Sequence, residues 1–570
     1  MTVGLVGAGP AADAVESALS DVEGAVETAA PDEIDEYELA IVIEVAGANA
    51  FEQANQRAIQ TGTSWIAIEL GGVGGVPVVD AAITGFGPET ACYECLRKRV
   101  RANVDPTEEP TKAPPPTTAR FAGAVAGRAA ASTLDRSVDG PEVVGFVREI
   151  PDATRRLLSV PHCECGSEPS RTIDRTTADR DLEATIGRAE QGLDDRVGIV
   201  QEVGEIESFP APYYLARNGD TEGFSDVSST GPAAGVDVDW NGALMKALGE
   251  AYERYSAGVY RTDRLQTASV EELDNPIAPS AFVTPEPPES DSIEWIEGEN
   301  LATSQSVQVP ASVAMYPPAG DRFRPANTTG LGFGNATVEA LLSGLYEVIE
   351  RDAAMLSWYS TFEPLALDVG DGAFETLARR VRTEGLSVTP LLLTQDVDVP
   401  VVAVAVHRAD GDWPRFALGS GAHLDPAAAA RSALAEAVQN WFELRQMGPD
   451  GAADAGGAIG EYAAFPDIVA DFVDAAGTVS ADAVAPDEPL AGSEALSTVV
   501  DRVTAAGLSP YAVRLTPRDV EAMGFEAVRV LVPSAQPLFL GEPYFGDRLE
   551  TVSDRLGFEA RPDRPFHPFP

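Results

Sequence analysis

Residues 246–256 read Lys-Ala-Leu-Gly-Glu-Ala-Tyr-Glu-Arg-Tyr-Ser, and residues 343–353 read Ser-Gly-Leu-Tyr-Glu-Val-Ile-Glu-Arg-Asp-Ala. Both carry Glu-x-x-Glu-Arg, and both predict helices. On a helix, positions three and four apart share a face. Lys246, Glu250, Glu253 and Arg254 therefore lie on one side, with Met245, Leu248 and Tyr252 opposite. The second stretch gathers Glu339, Ser343, Glu347 and Glu350 against Leu341, Leu345, Val348 and Ile349. A third helix repeats the design, with Ser432, Glu436, Gln439 and Asn440 on one face and Leu434, Val438 and Trp441 on the other. Three such helices can each bury one face in a core and point carboxylates and amides into a shared cleft. Carboxylates suit hard divalent cations, and Mg²⁺ in turn holds phosphates. Arg254 and Arg351 either clamp phosphate oxygens or pair with the glutamates beside them. For one helix alone, a solvated face with ion pairs fits as well; the second matching copy argues against it.

Outward from these helices, the chain from about residue 190 predicts one large unit of strands and long amphipathic helices. The acidic, Pro- and Ala-rich stretch 447–492 is expected as an insertion or mobile loop. Upstream, a strand over 2–7 runs into Gly7-Ala8-Gly9-Pro10-Ala11-Ala12 and a helix through Val15 and Leu19. Strands over 39–44 and 64–68 flank a helix over 49–61, so strand and helix alternate as in a small doubly wound α/β domain. Gly7, Gly9 and Ala12 fit the dinucleotide pattern G-x-G-x-x-G/A. A tight strand-to-helix turn without nucleotide fits equally, because no acidic residue is clearly placed about 20 positions on. A linker over 105–117, a helix over 119–133 and a strand over 142–149 follow.

The four cysteines form two close pairs, Cys92/Cys95 and Cys163/Cys165. Four soft ligands from two distant segments suit a tetrahedral, structural Zn²⁺ with no open position. His162 could replace one thiolate; buried or redox-active thiols without metal are the alternative.

A chain of 570 residues predicts two or three domains. No apolar run approaches the roughly 18 residues a membrane helix needs, and the start lacks a secretory signal, so a cytoplasmic location is expected. Asp and Glu number 90 against 40 Lys and Arg, a net charge of -50, and lysine occurs only at Lys98, Lys112 and Lys246. Such a surface suits a salt-rich cytoplasm, where self-repulsion is screened; an acidic partner-binding surface is the alternative. Nucleic-acid binding is excluded for want of basic patches.

The helical segments resemble the ATP-binding signatures of the YcaO family, in its cyclodehydratase branch of thiazole/oxazole-modified peptide biosynthesis, as in bacteriocin biosynthesis. Residues 246–256 resemble the first signature, 327–334 the glycine-bearing turn before the second, and 347–358 the second. Residues 419–423 and 433–439 resemble the third region, and 565–570 (Pro-Phe-His-Pro-Phe-Pro) the proline-rich tail. The N-terminal part resembles, less strongly, the ThiF/ubiquitin-activating-enzyme-like partner of such enzymes, in a haloarchaeal setting. The resemblance implies a Rossmann-like ThiF-type domain over 1–88, a zinc-binding and connecting region over 89–189, and a large α+β YcaO domain over 190–570.

It further implies ATP held by Lys246, Glu250, Glu253, Arg254, Asn335, Glu339, Glu347, Glu350, Arg351, Glu436 and Gln439. Mg²⁺ would sit on Glu250, Glu253, Glu347 and Glu350, and Pro570 would reach the catalytic site. The implied activity is phosphorylation of backbone amides of a ribosomally made precursor peptide, giving thiazoline or oxazoline rings. A thioamide-forming enzyme and a non-catalytic accessory scaffold are the other readings. A separate leader-peptide-binding protein, a flavin dehydrogenase and a homodimer are the expected partners. The chain departs from the pattern at Lys246, where many members have Ser, and in its tail, which is not a strict P-x-P-x-P. No winged-helix peptide-binding module is expected before the first strand.

Overall fold

The computed structural model describes residues 2–570 apart from 21–24, 106–111, 136–139, 229–230, 287–289, 291, 321 and 455–457. Residues 106–111 of the expected 105–117 linker therefore lie outside the described residues, and its last two, Pro116 and Thr117, begin a helix.

The first layer is built from β1 (Thr2–Val6), α1 (Pro10–Leu19), β2 (Ala25–Thr28), β3 (Leu39–Val45), α2 (Asn49–Thr61), β4 (Trp65–Leu70), β5 (Ala81–Phe86), α3 (Tyr93–Asn103), α4 (Pro116–Leu134), β6 (Phe146–Ile150) and β7 (Ala153–Arg156). The sheet order is β2-β1-β3-β4-β5-β6-β7, parallel from β2 to β4 and antiparallel beyond. Successive strand residues point to opposite faces. Ile41, Ile43, Ile66 and Ile68 meet α1 and α4; Val42, Trp65 and Ala67 meet α2 and α3. The sheet continues past residue 88, since β6 and β7 add two strands from the connecting region. Both glycines singled out by the dinucleotide pattern have local conformational reasons. Gly7 has φ +111, and a Cβ there would lie 2.4 Å from the Ile43 carbonyl oxygen; Gly9 has φ +94. Helix α1 is also crossed closely by α4, where a Cβ on Gly123 would lie 2.2 Å from the Ala11 oxygen.

The remainder begins with α5 (Leu182–Ala189) and a three-stranded antiparallel sheet of β8 (Val200–Glu207), β9 (Tyr213–Asn218) and β10 (Ala233–Val236), followed by α6 (Trp240–Gly258). A second sheet contains β11 (Gln266–Ser269), β12 (Ser292–Asn300), β13 (Ser306–Pro310), β14 (Leu331–Gly334), β20 (Tyr511–Arg514) and β21 (Glu526–Leu531). The short α7 (Ala311–Ala314) and the long α8 (Thr337–Trp358) belong to it. A third sheet contains β15 (Leu365–Asp368), β16 (Ser387–Leu392), β17 (Val401–His407), β18 (Phe416–Ala422) and β19 (Thr478–Ser480), with α9 (Gly372–Thr383) and α10 (Pro426–Ala453), which is broken at Gly448. The stretch expected as a loose loop instead holds the end of α10, α11 (Ile459–Tyr462), α12 (Asp467–Val473) and β19, which pairs in parallel with β15. Its alanines and aromatics pack: Tyr462, Val469 and Phe472 are buried. Helices α13 (Gly492–Ala505), α14 (Arg518–Met523) and α15 (Arg548–Leu556) complete the chain.

Three strand–helix units, β10–α6, β14–α8 and β18–α10, share one packing device. A glycine in each strand lets the helix backbone lie directly on it. A Cβ on Gly235 would meet the Ala243 oxygen at 2.2 Å, one on Gly332 the Ala340 oxygen at 2.1 Å, and one on Gly419 the Ala433 oxygen at 2.3 Å. Any side chain there would lift its helix off the sheet and displace the polar row that the helix carries.

Candidate active site

Helices α6, α8 and α10 converge with their polar faces inward on one continuous cleft. Its inner half, about 770 Å³, is lined by Arg254, Asn327, Glu347, Glu350, Arg351 and His423 among others. Its outer half, about 920 Å³, is lined by Asp237, Lys246, Phe333, Asn335, Glu339 and Gln439. Glu250, Glu253, Ser420, Glu436 and Pro570 border both halves. All eleven residues expected to hold nucleotide thus border the cleft.

In each unit a glutamate reaches back to an amide in the strand or, for Glu347, in the turn just before it. Ala234 N–H donates to Glu250 (2.6 Å), Gly330 N–H to Glu347 (3.0 Å) and Ser420 N–H to Glu436 (2.6 Å). The Ser420 hydroxyl donates to Glu350 at 2.6 Å. Arg254 pairs with Glu250 at 2.5 Å and donates to the Pro232 carbonyl. Arg351 lies 3.7 Å from Glu350 and from Glu436, and 4.0 Å from Glu347. Both arginines are held by the neighbouring glutamates, the second of the two roles their spacing allows. In the outer half, Lys246 pairs with Asp237 at 2.8 Å. Asn335 donates through Nδ2 to Glu339 (3.1 Å) and accepts from the Thr185 hydroxyl (3.0 Å); Gln439 donates to Glu443 (3.1 Å).

Burial raises the carboxyl pKa of Glu250. It raises Glu253 well above the ordinary range, with Glu347 and Glu250 adding repulsion. Glu347 rises through burial against the pull of Arg351, with Glu350 adding to the rise. Burial carries Glu436 to about 7, again against Arg351. Mutually repelling carboxylates in a low-dielectric cleft are a site that gains from a divalent cation. The four proposed Mg²⁺ ligands do not, however, converge as a ready-made coordination shell: among the described residues only the cysteines group that closely. One or two carboxylates completed by phosphate oxygens is the arrangement Mg²⁺ ordinarily takes, and the donor set fits that.

The tail is docked. Trp358 Nε1 donates to the Pro565 carbonyl (2.8 Å), the Tyr462 hydroxyl to that of Phe566, and His567 Nε2 to that of Phe539 (2.7 Å). Phe569 is buried, and Arg351 Nη1 donates to the Pro570 oxygen at 2.9 Å. Pro570 thereby stands where the two halves of the cleft meet.

The second centre sits where α3 begins. Cys92 caps the helix and Cys95 lies in its first turn. The Sγ atoms of Cys92, Cys95, Cys163 and Cys165 all lie within 4.8 Å of one another. This group is compatible with one tetrahedral metal ion. His162 does not join it; its ring lies 3.1 Å from Glu168. Arg518 at the start of α14 donates to Cys165 Sγ (3.3 Å) and Cys95 Sγ (3.8 Å). Hydrogen bonds from the other thiols, with the Arg518 charge, hold Cys165 far below an ordinary thiol. The adjacent Asp519 forms a buried ion pair with Arg99 of α3 and accepts from the Tyr255 hydroxyl of α6 at 2.5 Å.

Several polar groups at the cleft escaped the sequence analysis. Asp237 and Thr185 lie one element away from the helical signatures, and Arg324 and Arg529, which sit beside the cleft without lining it, come from a loop and a strand with no periodic mark. Ser420 stood inside the quoted 419–423 segment without an assigned role.

A family model described as YcaO cyclodehydratase, ATP- and Mg²⁺-binding, matches residues 234–536. An uncharacterized protein of Methanothermobacter thermautotrophicus is 36% identical over 217 residues, which is 36% of this chain and 56% of that protein. The chain spans about half the length of the curated relatives it matches. Among solved structures, a heterocyclase in complex with substrate and cofactor superposes with a TM-score of 0.74 at 21% identity, covering 98% of this chain and 83% of that one. YcaO from Methanopyrus kandleri, bound with AMPPCP and Mg²⁺, gives 0.51 at 25% identity over 67% of this chain and 94% of that one.

Proposed function

The chain belongs to the YcaO family, and from that premise we propose that it is an ATP- and Mg²⁺-dependent cyclodehydratase forming thiazoline or oxazoline rings in a ribosomally made precursor peptide. The observation that carries this reading is the meeting of three carboxylate-bearing helices and the docked tail in one cleft. ATP would supply a phosphoryl group and Mg²⁺ would neutralise its charge. In the peptide, a Cys, Ser or Thr side chain adds to the preceding carbonyl carbon, and the resulting oxygen accepts the phosphoryl group. That addition has already closed the five-membered ring; the carbon–oxygen bond then breaks with phosphate leaving, and the amide nitrogen loses its proton to form the C=N bond, so the peptide loses one water overall.

In this scheme Glu250, Glu253, Glu347 and Glu350 hold Mg²⁺, with Arg351 and Glu436 between them. Lys246, Asn335, Glu339 and Gln439 line the nucleotide end. Arg351 and Trp358 fix the tail so that Pro570 faces the reacting peptide. Residues 190–570 are the catalytic unit, and 1–88 with 89–189 are a scaffold stabilised by Zn²⁺ on the four cysteines. A separate leader-peptide-binding protein, a flavin dehydrogenase and a second copy of the chain are the proposed partners, in the cytoplasm. Among the described residues no helix is long and apolar enough to cross a membrane.

The test is peptide-dependent ATP hydrolysis at high salt, read together with peptide mass. Loss of one water per ring is expected. Replacement of oxygen by sulfur would establish the thioamide chemistry instead, and absence of peptide-stimulated hydrolysis would leave only the accessory scaffold.

A further inference from the structure

Beside the inner half of the cleft, though not lining it, are two arginines without a carboxylate of their own: Arg324 lines an adjoining recess, and Arg529 is joined to the cleft wall through Asn327. Arg529 of β21 is 1% exposed. Its Nη2 donates to the main-chain and side-chain oxygens of Asn327 (3.0 and 3.1 Å). Its Nε and Nη1 are buried and donate to nothing among the described residues. Arg324, half-buried, lies over the Phe282 ring at 5.5 Å and forms no ion pair among the described residues. Arg324, Asn327 and Arg351 line a narrow recess, and Asn327 and Arg351 also line the inner half of the cleft.

A shortage of acids does not explain this, in a chain with 90 Asp and Glu against 40 Lys and Arg. Nearby arginines are fully served: Arg514 pairs with Glu521 and Glu526, and Arg548 with Asp352 and Asp396. Burying a cation and its donors unpaired is costly, and two guanidiniums close together repel. Burial and Arg324 together pull Arg529 down to about 9. The acids that act on Arg529 are Glu347 and Glu253, beyond ion-pair distance, and both are proposed to turn to Mg²⁺. Guanidinium forks are the groups that suit phosphate oxygens.

We propose that Arg324, Asn327 and Arg529 form an anion subsite that takes a phosphate group beside the inner half of the cleft. The ligand is a phosphate with two sources: the terminal phosphoryl group of the nucleotide, or the inorganic phosphate released when the ring closes. The inference rests on the ATP reading of the cleft but requires no ring formation.

The test measures binding of inorganic phosphate, ADP and Mg²⁺·AMPPCP to the full chain at constant high salt, without peptide. Arg529→Met and Arg324→Met are compared with the unaltered chain. Phosphate affinity should fall about tenfold in each variant, as for loss of a charge-assisted bond, while ADP affinity moves less than about twofold. An accompanying fall for AMPPCP assigns the subsite to the nucleotide terminus; a fall for phosphate alone assigns it to the released product. No phosphate binding by the unaltered chain, or equal binding by the variants, overturns the subsite. Circular dichroism checks the fold, and if Arg529→Met does not fold, the half-buried Arg324→Met decides. A chain that binds phosphate in this pattern yet forms no rings would sink the ring-forming reading and leave the subsite standing.

Discussion

Glu347 combines a cost to the fold with a gain to the chemistry. Its carboxylate is buried beside Glu350 and accepts one hydrogen bond, from Gly330 N–H. Glutamine keeps that bond through its amide oxygen and removes the repulsion. Glu347→Gln should therefore leave the metal-free protein as stable as before or slightly more so, while lowering ATP turnover about 100-fold or more, because a neutral amide binds Mg²⁺ poorly. Thermal melts with and without Mg²⁺, beside hydrolysis assays, check both halves; retained turnover would remove Glu347 from the metal set. At this scale the acidic residues were legible because a 3.6-residue period writes one face of a helix into consecutive spacings. Arg529, and Arg518 at the thiols, were not, since they meet Asn327 and Cys165 across 202 and 353 positions.

The helices were equally legible, but their seating was not. Gly235, Gly332 and Gly419 decide how closely each helix lies on its strand, and a glycine inside a strand looks in sequence like any weak position. The 447–492 stretch failed for the opposite reason: its composition reads as loop, yet Tyr462, Val469 and Phe472 find a core against α8 and the tail. That tail gives a pH prediction. His567 is 1% exposed and donates through Nε2, and its Nδ1 meets no hydrogen-bond partner of good geometry among the described residues. Burial depresses it from 6.5 to about 4. Between those values the unfolded chain binds more protons than the folded one, so tail docking is fully stable above pH 6.5 and weakens as pH falls toward 4. The total loss is on the order of 3 kcal/mol. Protease sensitivity of 565–570 should rise over that window; a flat profile would contradict it. Helix α3 gives a metal prediction. Purified protein should carry about one Zn²⁺ per chain, and Cys92→Ser should reduce metal content and thermal stability. Folded protein without metal would overturn the assignment.

Over the whole molecule, the net charge of -50 should make thermal stability climb with KCl into the molar range, as repulsion is screened and burial strengthened; a melting temperature indifferent to salt would refute this. The same molecule is sewn together where charge is hidden. Val520, Met523 and Phe525 around α14 share one core with α3 and α6, and the Arg99–Asp519 pair inside it is 1% and 0% exposed. Removing either partner strands a buried charge and should cost about 3–5 kcal/mol, whereas replacing both by apolar residues should recover part of it. Denaturant unfolding of Arg99→Met, Asp519→Leu and the double variant measures that recovery, and strict additivity would rule out the coupling. The consequence is one of inheritance. Two positions 420 residues apart are thus bound to change together, and a chimaera that takes one segment from a homologue lacking the matching partner should fail before any catalytic residue has been touched.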